Sequence, residues 1–148
     1  MLNTGNKVSV FTEGSFCRRS GAGGWAFTVT FSGSQQHQAS GPLSAQDNNA
    51  VEWHALMRAV DHLCEMELAP NTNVTFYADS AYCRDHFTPD RLLAAGASSA
   101  EVRHTRAHQG ARNAMALRNE WVDRLAKEAM RAERDRLLRL ATQGMPSQ

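Results

Sequence analysis

A surplus of charge is what this chain most plainly lacks: 16 Lys and Arg against 15 Asp and Glu leave 148 residues with a formal net charge of +1. So small an imbalance offers no overall electrostatic case for binding nucleic acid. Cysteine is scarce as well. Cys17, Cys64 and Cys83 are odd in number and show no C-x-x-C spacing, which excludes a disulfide framework and a Cys-rich zinc site. Three reduced, mostly packed thiols suit a cytoplasmic protein, and that location is expected. No run of about 18 apolar residues occurs, so no membrane-spanning helix and no membrane partner are expected. The opening MLNTGNKVSV is polar and leads into a strand-like run, so no secretory signal is expected. Internal repeats and low-complexity linkers are also missing.

What is present is ordinary in amount: 42% hydrophobic and 21% charged residues, the composition of a globular protein. The length suits a single domain over residues 1–148, with one core burying roughly 70% of the unfolded surface. Basic residues nevertheless cluster, at Arg18 and Arg19, at Arg103, Arg106 and Arg112, and along the C-terminal stretch from Arg118 to Arg139.

Periodicity predicts an α/β order. An apolar, β-branched strand runs from Val8 to Thr12 and breaks off at Glu13, where Gly14, Gly21, Gly23 and Gly24 suggest a Gly-rich return. The alternating run Trp25 to Phe31 is a second strand, and a weaker third lies near His37 to Ser40, ended by Gly41-Pro42. Asp47 caps a helix to about Met66 whose stripe is Leu56, Ala59, Val60 and Leu63. Val74 to Ala78 is a strand ending at Asp79. Short helices follow at about Ala81 to Phe87 and Asp90 to Ala95, then a strand at Glu101 to Thr105 and a loop at His108 to Arg112. From about Asn113 to Ala141 the chain reads as helix, with Val122, Leu125, Ala126, Ala129 and Met130 on its apolar face. The order β-β-β-α-β-α-β-α describes a mixed sheet covered by helices.

Four carboxylates sit where a core should be. Glu13 and Asp79 terminate strands, Glu52 lies one turn before Leu56 on a buried helix stripe, and Asp123 edges the last helix's apolar face. Each alone is more simply a cap or an ion-pair partner. Together in one small domain they repel one another and take up protons unless cations neutralise them. Oxygen-only ligands favour magnesium or manganese. Two such ions about 4 Å apart are the usual clamp for phosphodiester cleavage.

The motifs F-T-E-G-S (Phe11 to Ser15), G-A-G-G-W (Gly21 to Trp25), N-N-A-V-E (Asn48 to Glu52), Y-A-D-S (Tyr77 to Ser80), A-H-Q-G (Ala107 to Gly110) and N-E-W-V-D (Asn119 to Asp123) follow one another in the chain. In that order the chain resembles a type I ribonuclease H from Val8 to about Met130. The resemblance implies a ribonuclease H-like five-stranded mixed β-sheet flanked by α-helices. It also implies metal-dependent endonucleolytic hydrolysis of the RNA strand of an RNA–DNA hybrid, giving 5′-phosphate ends. Glu13, Glu52, Asp79 and Asp123 would hold two Mg2+ ions, with Mn2+ an alternative. His108 would assist proton transfer or product departure. Gly14, Ser15, Arg19, Asn48, Asn49 and Asn119 would touch the substrate, the two neighbouring asparagines across the minor groove.

Departures from that pattern are expected to matter. Glu13 stands where the family's first acid is normally Asp, which pushes the carboxylate out by about 1.5 Å. Asp47 replaces a common threonine. The stretch between Asp79 and His108 has no room for a long basic handle, and the last helix is expected to extend through about residues 131–142, its arginines forming a solvated face with partners such as Glu133. Three rivals accompany this reading: an impaired module that binds nucleic acid or protein, a related nuclease acting on DNA, and, against the expected monomer, a dimer through the extended helix. Trp25 and Trp121 are expected in the core, and Trp53 is a candidate for an exposed contact. His104, His108 and Glu101 are not expected to bind zinc, since nothing places them on one helix.

Overall fold

In the computed structural model, which describes residues 6–32, 34–104 and 114–143, β1 (Asn6–Cys17), β2 (Ala22–Phe31) and β3 (Ser34–Ser44) form an antiparallel meander. After α1 (Asn48–Glu65), β4 (Thr72–Ala78) returns parallel to β1. The short helices α2 (Ala81–His86) and α3 (Asp90–Ala94) then lead to β5 (Ser99–His104), parallel to β4. The five strands lie in the order β3-β2-β1-β4-β5, and α4 (Ala114–Gln143) follows. This is the five-stranded mixed sheet with flanking helices that the sequence implies.

Strand alternation divides the core in two. Val8 and Val10 of β1 point to one face, where they meet Phe27, Val29 and Phe76 beneath Leu56, Ala59 and Leu63 of α1. Phe11 points to the other, against Ala26 and the α4 residues Val122 and Ala126. Helix α1 starts where expected: Asp47 Oδ1 accepts from the Ala50 N–H at 2.8 Å, satisfying an otherwise unpaired donor.

Several boundaries differ from expectation. β1 does not stop at Thr12 but stays in register with β2 as far as Cys17, and β2 begins at Ala22, so Gly14, Gly23 and Gly24 are strand residues. β3 is far longer than four residues and passes through Gly41-Pro42. It is an edge strand, where a missing N–H costs no ladder bond on the open side. Trp25 is buried, but Trp121 is 39% exposed and its Nε1 donates to Gln38 Oε1 at 3.0 Å, so it covers β3 rather than filling the core. Glu133 is buried instead of solvated, accepting from Arg136 one turn on. Thr105, which the expected fifth strand included, lies outside the described residues.

Candidate active site

The parallel pairing of β1 with β4 ends at Thr12 opposite Ala78. Glu13 and Asp79 are the next residues on these adjacent strands, so their Cα atoms leave the sheet side by side. Glu13 follows Phe11 by two residues and Asp79 follows Tyr77 by two. Both therefore stand on the α4 side, where Phe11 and Tyr77 stack with ring centroids 4.9 Å apart. Asp123 arrives on α4 next to buried Val122.

Glu52 approaches from the other face, and glycine makes this possible. A Cβ on Gly14 would stand 2.7 Å from the Glu52 backbone nitrogen, so α1 crosses β1 in direct backbone contact. On the opposite side a Cβ on Gly24 would overlap Ala126 O and Met130 N of α4. Gly14 pairs with Trp25, the neighbour of Gly24. The two helices thus close on adjacent points of the sheet from opposite faces, carrying Glu52 and Asp123 toward Glu13.

All four acids line one cavity of about 210 Å³, together with Gly14, Asn48, Asn119 and Glu120. Glu13 and Glu52 are buried and hydrogen-bonded to each other, and Glu13 Oε1 also accepts from the Gly14 N–H at 3.1 Å. Burial, followed by the charge of Glu13, pushes Glu52 up to about 11. Burial raises Glu13 too, against the lowering effect of its hydrogen bond with Glu52. Asp123 Oδ2 lies 2.9 Å from Lys127 Nζ, and Asp79 Oδ1 lies 3.5 Å from His104 Nε2. Among the described residues no three such side chains converge on one point. The acids share a cavity and are not drawn into a cage.

The donor set nevertheless fits a hard divalent cation. Glu52 Oε2 is buried without a hydrogen-bond partner among the described residues, and so is Asn119 Oδ1. Two touching carboxyl groups that retain a proton present a place where a cation can replace it. The lining supplies oxygen atoms from carboxylates and amides, the ligands that magnesium and manganese prefer.

The other expected residues divide. Gly14, Asn48 and Asn119 line the acid cavity. Asn49 lines a second, of about 420 Å³, with Asp47, Trp53, His54 and Tyr82. Trp53 packs edge-on against Tyr82, centroids 6.0 Å apart, and His86 stacks on Tyr82 at 4.0 Å. Ser15 is half-buried on β1, and Arg19 is exposed in the turn after it. His108 lies outside the described residues. The sequence reading weighed His104 only as a zinc ligand and did not single out Glu120 or Lys127. The last two were readable, because three- and four-residue steps from Asp123 along one helix reach them.

Comparisons with known proteins bear on the family and the fold. A family model described as RNase H matches residues 5–95, more than half of the chain, and includes Glu13, Glu52 and Asp79. A ribonuclease H of Oleidesulfovibrio alaskensis is 35% identical over 79 residues, 53% of this chain and 47% of its own. One from Thermosynechococcus vestitus is 30% identical over 74 residues, 50% of this chain and 45% of its own. The chain therefore spans about half the length of the curated relatives it matches. In fold it is similar to the N-terminal RNase H domain of a Mycobacterium tuberculosis protein, with a TM-score of 0.67 and 17% identity, covering 88% of this chain and 97% of the other. It is also similar to LC11-RNase H1, solved in complex with an RNA/DNA hybrid, with a TM-score of 0.59 and 17% identity, covering 84% and 97%.

Proposed function

The chain belongs to the RNase H family, and from that premise we propose that it is a divalent-metal-dependent endonuclease cutting the RNA strand of RNA–DNA hybrids. The observation that carries the reading is the buried Glu13–Glu52 pair in a cavity it shares with Asp79 and Asp123. Such a pair is costly to ionise unless cations neutralise it.

Glu13, Glu52, Asp79 and Asp123 would hold two Mg2+ ions, with Mn2+ able to replace them. Bound there, the ions supply an activated water and charge stabilisation for the leaving oxygen. The protein's own contribution is placement. β1 and β4 deliver two acids rigidly, and α1 and α4 deliver the others at glycine-permitted contact. Burial keeps water from screening the site.

Glu13, longer by one methylene than the usual aspartate, is accommodated without a bulge. β1 stays paired with β2 residue by residue through positions 13–17. The Glu13 side chain ends in the hydrogen bond with Glu52.

Asn48 and Asn49 stand between two cavities, one acidic and one aromatic. This fits a duplex whose RNA strand runs over the acids and whose partner strand runs past Trp53 and Tyr82, with the asparagines at the minor groove, where 2′-hydroxyls mark RNA. LC11-RNase H1, which shares the fold, is the hybrid-bound precedent.

The test is a panel of labelled RNA–DNA hybrid, duplex RNA, duplex DNA and single-stranded RNA, each with Mg2+, Mn2+ or EDTA. Cleavage confined to the RNA of the hybrid, and abolished by EDTA, is expected. Cleavage of DNA would transfer the protein to another nuclease class. Silence on every substrate would leave a binding module.

A further inference from the structure

We propose that His104 is a positioning residue for Asp79: its Nε2–H donates to Asp79 Oδ1 and holds that oxygen back, so that the other faces the bound cation. The inference rests on the ribonuclease H reading of the acid cavity and names a residue which that reading does not use.

The placement is built into the sheet. β5 pairs with β4 in parallel, and the last pair of the ladder is Ala78 opposite His104. Asp79 is the following residue on β4, so strand register sets the imidazole beside the carboxylate. Nε2 and Oδ1 are 3.5 Å apart, and both side chains are about two-thirds buried, at 33% and 31% exposed. A hydrogen bond needs an approach closer by roughly 0.3–0.8 Å, which a small side-chain rotation supplies.

Asp79 needs such a holder. Its charge lies close enough to Glu13 and Glu52 to raise both, and the same repulsion opposes the carboxylate's place in the cavity it lines. The buried Glu13–Glu52 pair already has its restraints. Glu13 has the Gly14 N–H and Glu52, whereas Lys127, 2.9 Å from Asp123 Oδ2, stands where it competes with a cation. For Asp79, His104 is the basic group in ion-pair contact among the described residues. A carboxylate with one oxygen engaged keeps one orientation about its last bond, and outer partners of this kind tune how tightly a metal is held.

The test uses the full chain and two substitutions. His104→Phe keeps a flat ring and removes the donor, while His104→Gln keeps an N–H of similar reach. Binding of Mn2+ alone is measured by calorimetry, with hybrid cleavage measured beside it. His104→Phe is expected to weaken Mn2+ binding and cleavage by roughly ten- to a hundredfold, and His104→Gln to restore most of both. Wild-type Mn2+ affinity in His104→Phe, or a glutamine variant as weak as the phenylalanine one, overturns the proposal. Should His104→Phe not fold, His104→Ala set against His104→Gln reads the same contrast. If the Mn2+ contrast holds while wild type leaves the hybrid intact, the substrate reading fails and the positioning role stands.

Discussion

Glu13 and Glu52 are hydrogen-bonded to each other although one belongs to β1 and the other to the helix packed on that strand's opposite face. The contact exists because Gly14, between β1 and α1, has no side chain to hold them apart. Burial and mutual charge then make the pair retain a proton that separate carboxyls would lose.

That proton has a stability consequence. Glu52 is raised from 4.5 to about 11 by folding. Between those values the folded chain holds a proton that the unfolded chain has released, so stability falls as pH rises through the window. In EDTA, the melting temperature of wild type is expected to decline from about pH 5 to about pH 9, and that of Glu52→Gln to decline less. Saturating Mg2+ should remove the difference, since the cation takes the proton's place. Thermal melts across pH check this.

Gly24→Ala should be strongly destabilising, because the new methyl overlaps Ala126 O and Met130 N, which are backbone atoms that cannot rotate aside. A loss of about 1–3 kcal/mol, toward the upper end, is expected from overpacking of this kind. Denaturant titration would show it as a lower midpoint with an unchanged slope.

Lys127 competes with any cation for Asp123, at 2.9 Å on an accessible helix surface. Exposed pairs of this type are worth about 0.2–1 kcal/mol, so Lys127→Met should tighten Mn2+ binding by roughly 1.5- to fivefold. Calorimetric titration of both proteins decides it, and weaker binding in the variant would oppose the account.

Trp53→Ala removes the indole from the second cavity while leaving Tyr82 and the acids in place. If a nucleic-acid strand runs there, KM for the hybrid should rise, with stacking of about 1–3 kcal/mol per base setting the scale, and kcat should change less. A fall in kcat at constant KM would place Trp53 elsewhere in the mechanism.

The pattern W-A-F-T-V-T-F and the stripe Leu56, Ala59, Val60, Leu63 revealed β2 and α1 because α1 buries one continuous face and β2 is buried on both of its faces. The four acids were legible for a related reason, since a carboxylate interrupting such a face is chemically expensive. Strand ends were not legible. Gly14, Gly23 and Gly24 read as loop because glycine favours turns, yet here they are strand residues, and Gly14 and Gly24 are the points where helices cross the sheet. That role depends on residues far away in the chain, which local periodicity does not contain. Trp121 was misplaced likewise: the helical pattern gives a stripe, while Gln38 of β3 decides where the neighbouring indole sits. His104 was weighed only against zinc because its nearness to Asp79 is set by β4–β5 register and not by spacing along the chain.

The most direct measurement is cleavage of an end-labelled RNA–DNA hybrid with Mg2+, comparing wild type with Asp79→Asn and Glu52→Gln and identifying the product ends. RNA fragments bearing 5′-phosphates are expected from wild type, and rates lowered by more than roughly a hundredfold in both variants, beyond what loss of an outer partner costs. Undiminished cleavage by either variant would show that the acid cavity is not where the reaction occurs.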